Sequence, residues 1–278
     1  MTTDAMPSPG GNSTEQTSQL VEIEPNRRLN LVCQGQGFPT VILEAGLGDT
    51  SAAWHLVQPE VAHVTRVCAY DRAGLGLSDP GPMPRTSSAI ADDLHALLHQ
   101  AGLLPPYVIV AHSMGALGAM LFADRHLPEL AGMILVDPSF VDQAETLAPY
   151  LPEAAPHGNP TTVAGSEAES MSSLSDDAEE SDSAQLKAEA RDLGSLPMIV
   201  LTAADTGGTD GNDQRVIAGK ALWKAGHEAL AACSSQGVSR MVPHSGHSIH
   251  LDQPGIVASA ILELVGRSRQ AIDGRQAP

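Results

Sequence analysis

Short apolar runs alternate with stretches of helical periodicity along most of the chain. Residues 29–33, 40–43, 66–70, 107–110, 132–136, 198–201 and 238–242 are rich in Val, Ile and Leu. They read as strands, several of them buried on both faces. The first two are expected to pair around the turn Gly35-Gln36-Gly37. Ile90, Leu94, Leu97 and Leu98 recur at helical spacing behind the capping run Thr86, Ser87 and Ser88. Leu117, Met120 and Leu121 form a second such face, and Val257, Ala260, Ile261, Leu264 and Val265 a third. This alternation predicts an α/β fold, with a mostly parallel central sheet flanked by helices on both faces.

Two stretches break the rhythm. Residues 1–19 are rich in Ser, Thr, Gly and Pro without apolar periodicity and are expected to form a disordered tail. Residues 138–195 lack a clear strand and carry Glu167, Glu169, Asp176, Asp177, Glu179, Glu180 and Asp182 among many serines. They read as an acidic insertion that divides one core domain into residues 20–137 and 196–278.

The 278 residues suffice for one such core, and with 3% aromatics it must be built mainly from aliphatic side chains and Met. A formal net charge of −18 argues against nucleic acid or an anionic membrane surface as a partner. Cys33, Cys68 and Cys233 are odd in number and unpaired in spacing, which predicts free thiols. With neither a signal-peptide pattern nor a long apolar run, the expected location is cytoplasmic.

The chemistry concentrates around residue 113. Residues 107–110 lead through Ala111, His112, Ser113, Met114 and Gly115 into the apolar face that begins at Leu117, giving a strand, a tight turn and a helix. Small residues at 111, 115 and 118 allow a turn sharp enough to lift the Ser hydroxyl clear of the sheet. The helix that follows directs its first N–H groups at negative charge developing nearby. Ala111 stands where the G-x-S-x-G pattern has Gly, a minimal change.

Three further segments extend this. They are residues 44–51 (Glu-Ala-Gly-Leu-Gly-Asp-Thr-Ser) followed by Trp54, residues 70–79 (Tyr-Asp-Arg-Ala-Gly-Leu-Gly-Leu-Ser-Asp), and residues 245–254 (Ser-Gly-His-Ser-Ile-His-Leu-Asp-Gln-Pro). In this order the four motifs resemble the α/β-hydrolase superfamily over roughly residues 20–268, apart from the insertion. The resemblance implies an α/β-hydrolase fold with a lid insertion after the sixth strand and Ser113 as nucleophile. It implies His247 as the base, with His244 and His250 as flanking alternatives. The acid is Asp137, after the sixth strand, or Asp205, after the seventh. The oxyanion hole maps to the backbone N–H groups of Leu47 and Met114, and the Asp71-Arg72 turn to scaffold.

A Ser nucleophile excludes the superfamily branches that use Asp there, the haloalkane dehalogenases and epoxide hydrolases. Acyl transfer to Ser remains, with hydrolysis of a carboxylic ester or lactone first and no metal or organic cofactor needed. The acidic insertion favours a neutral or cationic substrate, such as an amino-sugar macrolide. An acyltransferase or amidase on the same residues, or a small-molecule-binding homologue without turnover, stays open, as does the oligomeric state.

Overall fold

The computed structural model describes residues 15–150, 192–205 and 213–276. An eight-stranded sheet forms its centre: β1 (Thr17–Glu24), β2 (Arg27–Gln34), β3 (Thr40–Glu44), β4 (Val67–Tyr70), β5 (Tyr107–His112), β6 (Leu130–Val136), β7 (Met198–Ala203) and β8 (Gly237–Val242). In space the order is β1-β2-β4-β3-β5-β6-β7-β8. β1/β2 and β2/β4 pair antiparallel and every other pair is parallel. Around it run α1 (Gln58–Ala62), α2 (Ser87–Gln100), α3 (Gly115–His126), α4 (Gln143–Leu147), α5 (Gln214–Ala231), α6 (Ile249–Asp252) and α7 (Pro254–Gln276).

The strands alternate strictly between two apolar layers, as a period of two on a sheet covered on both faces requires. Ile42, Ile109, Ala111, Met133, Leu135 and Val200 face α2 and α3, where Leu94, Leu97, Met120 and Phe122 meet them. Val41, Leu43, Val108, Val110, Ile134, Val136 and Leu201 face the other way, onto Trp54, Val61, Ile261 and Leu264. Each large aliphatic side chain so buried contributes roughly 1.5–3 kcal/mol. The Thr86 hydroxyl accepts the Ala89 N–H at 3.1 Å and caps α2 as its sequence predicts.

Three expectations change. β2 and β3 are not neighbours, because β4 lies between them. Gly35, at φ +69°, takes the chain so close to α1 that a Cβ there would stand 2.4 Å from the Ala62 carbonyl oxygen, and this detour carries β3 away from β2. β1 begins at Thr17, inside the stretch expected to be a tail. Its residues are mostly exposed, so an edge strand leaves little apolar signal. Residues 1–14 lie outside the described residues, as do residues 151–191, the bulk of the expected insertion.

The third correction concerns the thiols. Cys33 and Cys68 form a disulfide, being directly opposed on the antiparallel pair β2/β4 with Cα atoms 4.1 Å apart. Linear spacing gave no hint of this, since the sheet register supplies the proximity. Disulfides are rare in the cytosol, so this bond runs against the cytoplasmic expectation. No helix among the described residues is long and apolar enough to cross a membrane.

The cross-link closes a separation of 35 residues. In the chain-entropy treatment a loop of that length adds about 3–4 kcal/mol of stability. Equilibrium urea unfolding with dithiothreitol should therefore show a clearly lower midpoint than without it. Equal midpoints would mean that the bond contributes nothing.

Candidate active site

The candidate site sits where β5, β6 and β7 end. Strand pairing continues one residue beyond the regular ladder: Ser113 N–H donates to the Val136 carbonyl at 3.1 Å and Asp137 N–H to that of Leu201 at 2.8 Å. Both residues take left-handed backbone conformations, with φ +50° at Ser113 and +41° at Asp137. Such geometry costs a non-glycine residue of order 1–3 kcal/mol and turns its side chain out of the strand direction. The turn at Ser113 also needs Gly115, whose Cβ, if present, would lie 2.4 Å from the Ala45 carbonyl oxygen.

These turns align three side chains. Ser113 Oγ lies 2.8 Å from His247 Nε2, and His247 Nδ1 lies 2.7 Å from Asp137 Oδ2. With Nδ1 carrying the proton, Nε2 is left as the acceptor for the Ser113 hydroxyl. The other oxygen of Asp137 accepts the Ala203 N–H at 2.9 Å and the Trp223 indole N–H at 3.0 Å. Burial pushes the Asp137 carboxyl up, but the bonds from His247, Ala203 and Trp223 outweigh it and hold the group below the usual carboxylate range. Asp205, the alternative acid, is exposed. Its backbone N–H donates to the Ser245 carbonyl, and its side chain makes no bond to His247.

The loop carrying Leu47 is held from behind. Arg72 donates to Glu44 Oε1 at 2.8 Å, to the Ala45 carbonyl at 2.6 Å and to the Gly46 carbonyl at 2.5 Å, and the Tyr70 hydroxyl donates to Glu44 Oε2. Asp71 accepts from the Ser51 N–H, the Asn30 amide and the Leu77 N–H. Met114 occupies the N-cap of α3. The amides of Leu47 and Met114 thus lie on the two backbone segments that meet at Gly115, where the Ala45 carbonyl blocks a side chain.

A family model described as the alpha/beta hydrolase fold matches residues 39–218. The chain belongs to the α/β-hydrolase family. This α/β hydrolase is 30% identical over 233 residues to the uncharacterized protein YqjL of Bacillus subtilis, covering 83% of this chain and 85% of YqjL. It is 38% identical over 104 residues to an AB hydrolase superfamily protein of Gibberella zeae, a match to 36% of this chain and 32% of that protein. Among solved structures it resembles a thermophilic esterase from Thermogutta terrifontis, with TM-score 0.62, 21% identity and coverage of 91% and 99%. It also resembles Est816, an N-acyl homoserine lactone degrading enzyme, with TM-score 0.67, 14% identity and coverage of 88% and 99%. At these identities the two structures speak for the fold alone.

Sequence reasoning missed several residues of the hydrolase's site. Trp223 and His227 lie on α5, a helix with only two buried residues and so little apolar periodicity. The Trp223 ring packs 5.6 Å from Phe140. His227 is buried, bonded to Thr202 Oγ1 at 2.8 Å and to the Pro138 carbonyl at 2.9 Å. The contact of His112 with the loop of His247 was missed as well. The His112 Nε2–H donates to the His247 carbonyl at 3.0 Å, joining the turn of Ser113 to the loop of His247. His250 packs 4.4 Å from His112 and 4.8 Å from Trp54, whereas His244 is exposed with φ +55°.

Burial, aided by the neighbouring imidazoles, lowers His112 to about 3 and His250 to about 4. Both therefore fold neutral, while the unfolded chain protonates them near pH 6.5. Their stabilising neutrality is complete above pH 6.5 and is lost as pH falls toward 4 and 3. At pH 5 the loss is roughly 2 kcal/mol for each. Replacing His250 by Gln should flatten the decline in urea-unfolding free energy between pH 7 and 5. An undiminished slope in His250→Gln would rule this out.

Proposed function

We propose that this α/β hydrolase cleaves a carboxylic ester or lactone through an acyl-enzyme on Ser113. The observation that carries the proposal is the unbroken row Ser113 Oγ, His247 Nε2 and Nδ1, Asp137 Oδ2, with bonds of 2.8 and 2.7 Å. In this reading Ser113 Oγ attacks the carbonyl carbon while its proton passes to His247 Nε2. Asp137 holds the ring and balances the imidazolium that forms. The carbonyl oxygen becomes an oxyanion that accepts from the Leu47 and Met114 N–H groups. As the tetrahedral intermediate collapses, the leaving alkoxide takes the proton from Nε2. Water then attacks the acyl carbon as its proton passes to Nε2, and when the second tetrahedral intermediate collapses the acid departs and Ser113 Oγ takes the proton back from Nε2. No step calls for a metal or organic cofactor.

The pinned left-handed turn at Asp137 and the two donors on its second oxygen support Asp137 over Asp205 as the acid. A serine rather than an aspartate at position 113 supports acyl transfer over epoxide opening, although the epoxide hydrolase CorEH shares the fold at TM-score 0.61. The net charge of −18 supports a neutral or cationic small-molecule substrate.

An ester and lactone panel tests the chemistry. Ser113→Ala should abolish fluorophosphonate labelling and lower kcat by at least about 10⁴-fold. Asp137→Asn should cost on the order of 10³–10⁴-fold in kcat, and Asp205→Asn less than about threefold. A collapse in Asp205→Asn alone would reverse the choice of acid. Transfer to an added alcohol in preference to water would make the protein an acyltransferase, and full turnover in Ser113→Ala would overturn the proposal.

Charge selection has its own readout. Among matched esters at low salt, kcat/KM should fall from cationic to neutral to anionic, and the differences should shrink as ionic strength rises. A flat series at low salt would remove the electrostatic part of the reading.

A further inference from the structure

At the far end of β6 from Asp137, three metal-ligating side chains converge from different elements. His95 lies on α2, His126 is the last residue of α3, and Glu129 closes the short turn that leads into β6. His95 Nε2 is 3.3 Å from Glu129 Oε1, and His126 Nδ1 is 3.6 Å from the same oxygen. All three ligand atoms lie within 4.8 Å of one another, the one such cluster among the described residues. We propose that His95, His126 and Glu129 form a zinc-type divalent metal site, with solvent completing the coordination.

The spacing supports this directly. With metal–ligand bonds of about 2.0–2.1 Å, a tetrahedral site places its ligand atoms roughly 3.4 Å apart, close to both measured separations. Two imidazoles and a carboxylate also match the ligand chemistry of zinc, and nitrogen ligands must bind unprotonated. Burial and the adjacent His95 ring push the His126 imidazole below its ordinary value, favouring the neutral form.

The two rings stack at 3.8 Å with an interplanar angle of 3°. In this stack the in-plane lone pairs run parallel, so metal binding requires both rings to rotate about their Cβ–Cγ bonds until Nε2 of His95 and Nδ1 of His126 converge beside Glu129. Phe122, itself fully buried, lies 5.0 Å from the His126 ring and 6.0 Å from the His95 ring and limits how far they can swing. The three side chains remain 23–37% exposed, which leaves a face open to water. As an ion pair alone such an arrangement is worth little.

Seven residues of β6 lie between Glu129 and Asp137, a span of about 26 Å at the usual strand rise. The metal would therefore tie α2 to the α3–β6 corner and take no part in the proposed acyl chemistry.

Zinc titration of the chelator-stripped full chain, in competition with a chromogenic chelator, tests the proposal. His95→Ala, His126→Ala and the isosteric Glu129→Gln should each weaken one zinc equivalent by about 10-fold or more. The control His99→Ala, an exposed residue of α2, should leave it unchanged. Cobalt should give the visible absorption of a tetrahedral complex in wild type, and zinc should raise Tm in wild type but not in the variants. Metal-free Tm values identify any variant that has lost its fold. Glu129→Gln, which preserves side-chain size, then serves as the deciding variant. Zinc that binds equally well to all three variants, or that inhibits and survives every substitution, would belong elsewhere and overturn the proposal. Failure of wild type to bind zinc would do the same.

Discussion

Two backbone hydrogen bonds set the geometry on which everything at the strand ends depends. Ser113 N–H reaches the Val136 carbonyl and Asp137 N–H reaches that of Leu201, so each strand is still bonded to its neighbour at the residue where it must turn. A free chain would relax out of the left-handed conformations these residues adopt. Here the ladder on one side and the packed strand before it hold both turns in place. Adjacent parallel strands thereby present a hydroxyl and a carboxylate from the same edge, with room between them for one imidazole.

That imidazole comes from a loop 110 residues after Asp137, and it is fixed at more than its two ring nitrogens. Its ring is held by Asp137 and its backbone carbonyl by His112, the residue before Ser113. The oxygen of Asp137 turned away from the ring is occupied by Ala203 and Trp223. The same economy operates at residues 44–47, where Arg72 holds two consecutive carbonyls. Polar groups that must be satisfied when buried serve here as struts between loops that share no secondary structure.

Much of this was legible in the chain. Strands such as 107–110 and 132–136 are buried on both faces, so their apolar runs are unmistakable, and Thr86 announces the start of α2. Ser113 and His247 stand out because their motifs are local. The edge strand β1 was hidden by its exposed face, and α5 by the near absence of a buried stripe. The Cys33–Cys68 pair was hidden because residues 35 apart become neighbours only through a register that no local pattern encodes. Choosing between Asp137 and Asp205 posed the same difficulty. Both follow a strand at the same sheet edge, and what distinguishes them, the left-handed turn of Asp137, its bond to His247 and the donors Ala203 and Trp223, exists only in the folded chain.

The absence of a side chain at Gly115 has a consequence for how such a molecule can diverge. The Ala45 carbonyl approaches until only hydrogen fits, so the separation between the two amide-bearing segments is a contact distance rather than an adjustable gap. A single methyl group at that point would act as a wedge between them. Diversification is therefore closed at this position and open at the surfaces that border it. New preferences must be written in whatever rests above Ser113, while the frame beneath it stays constant.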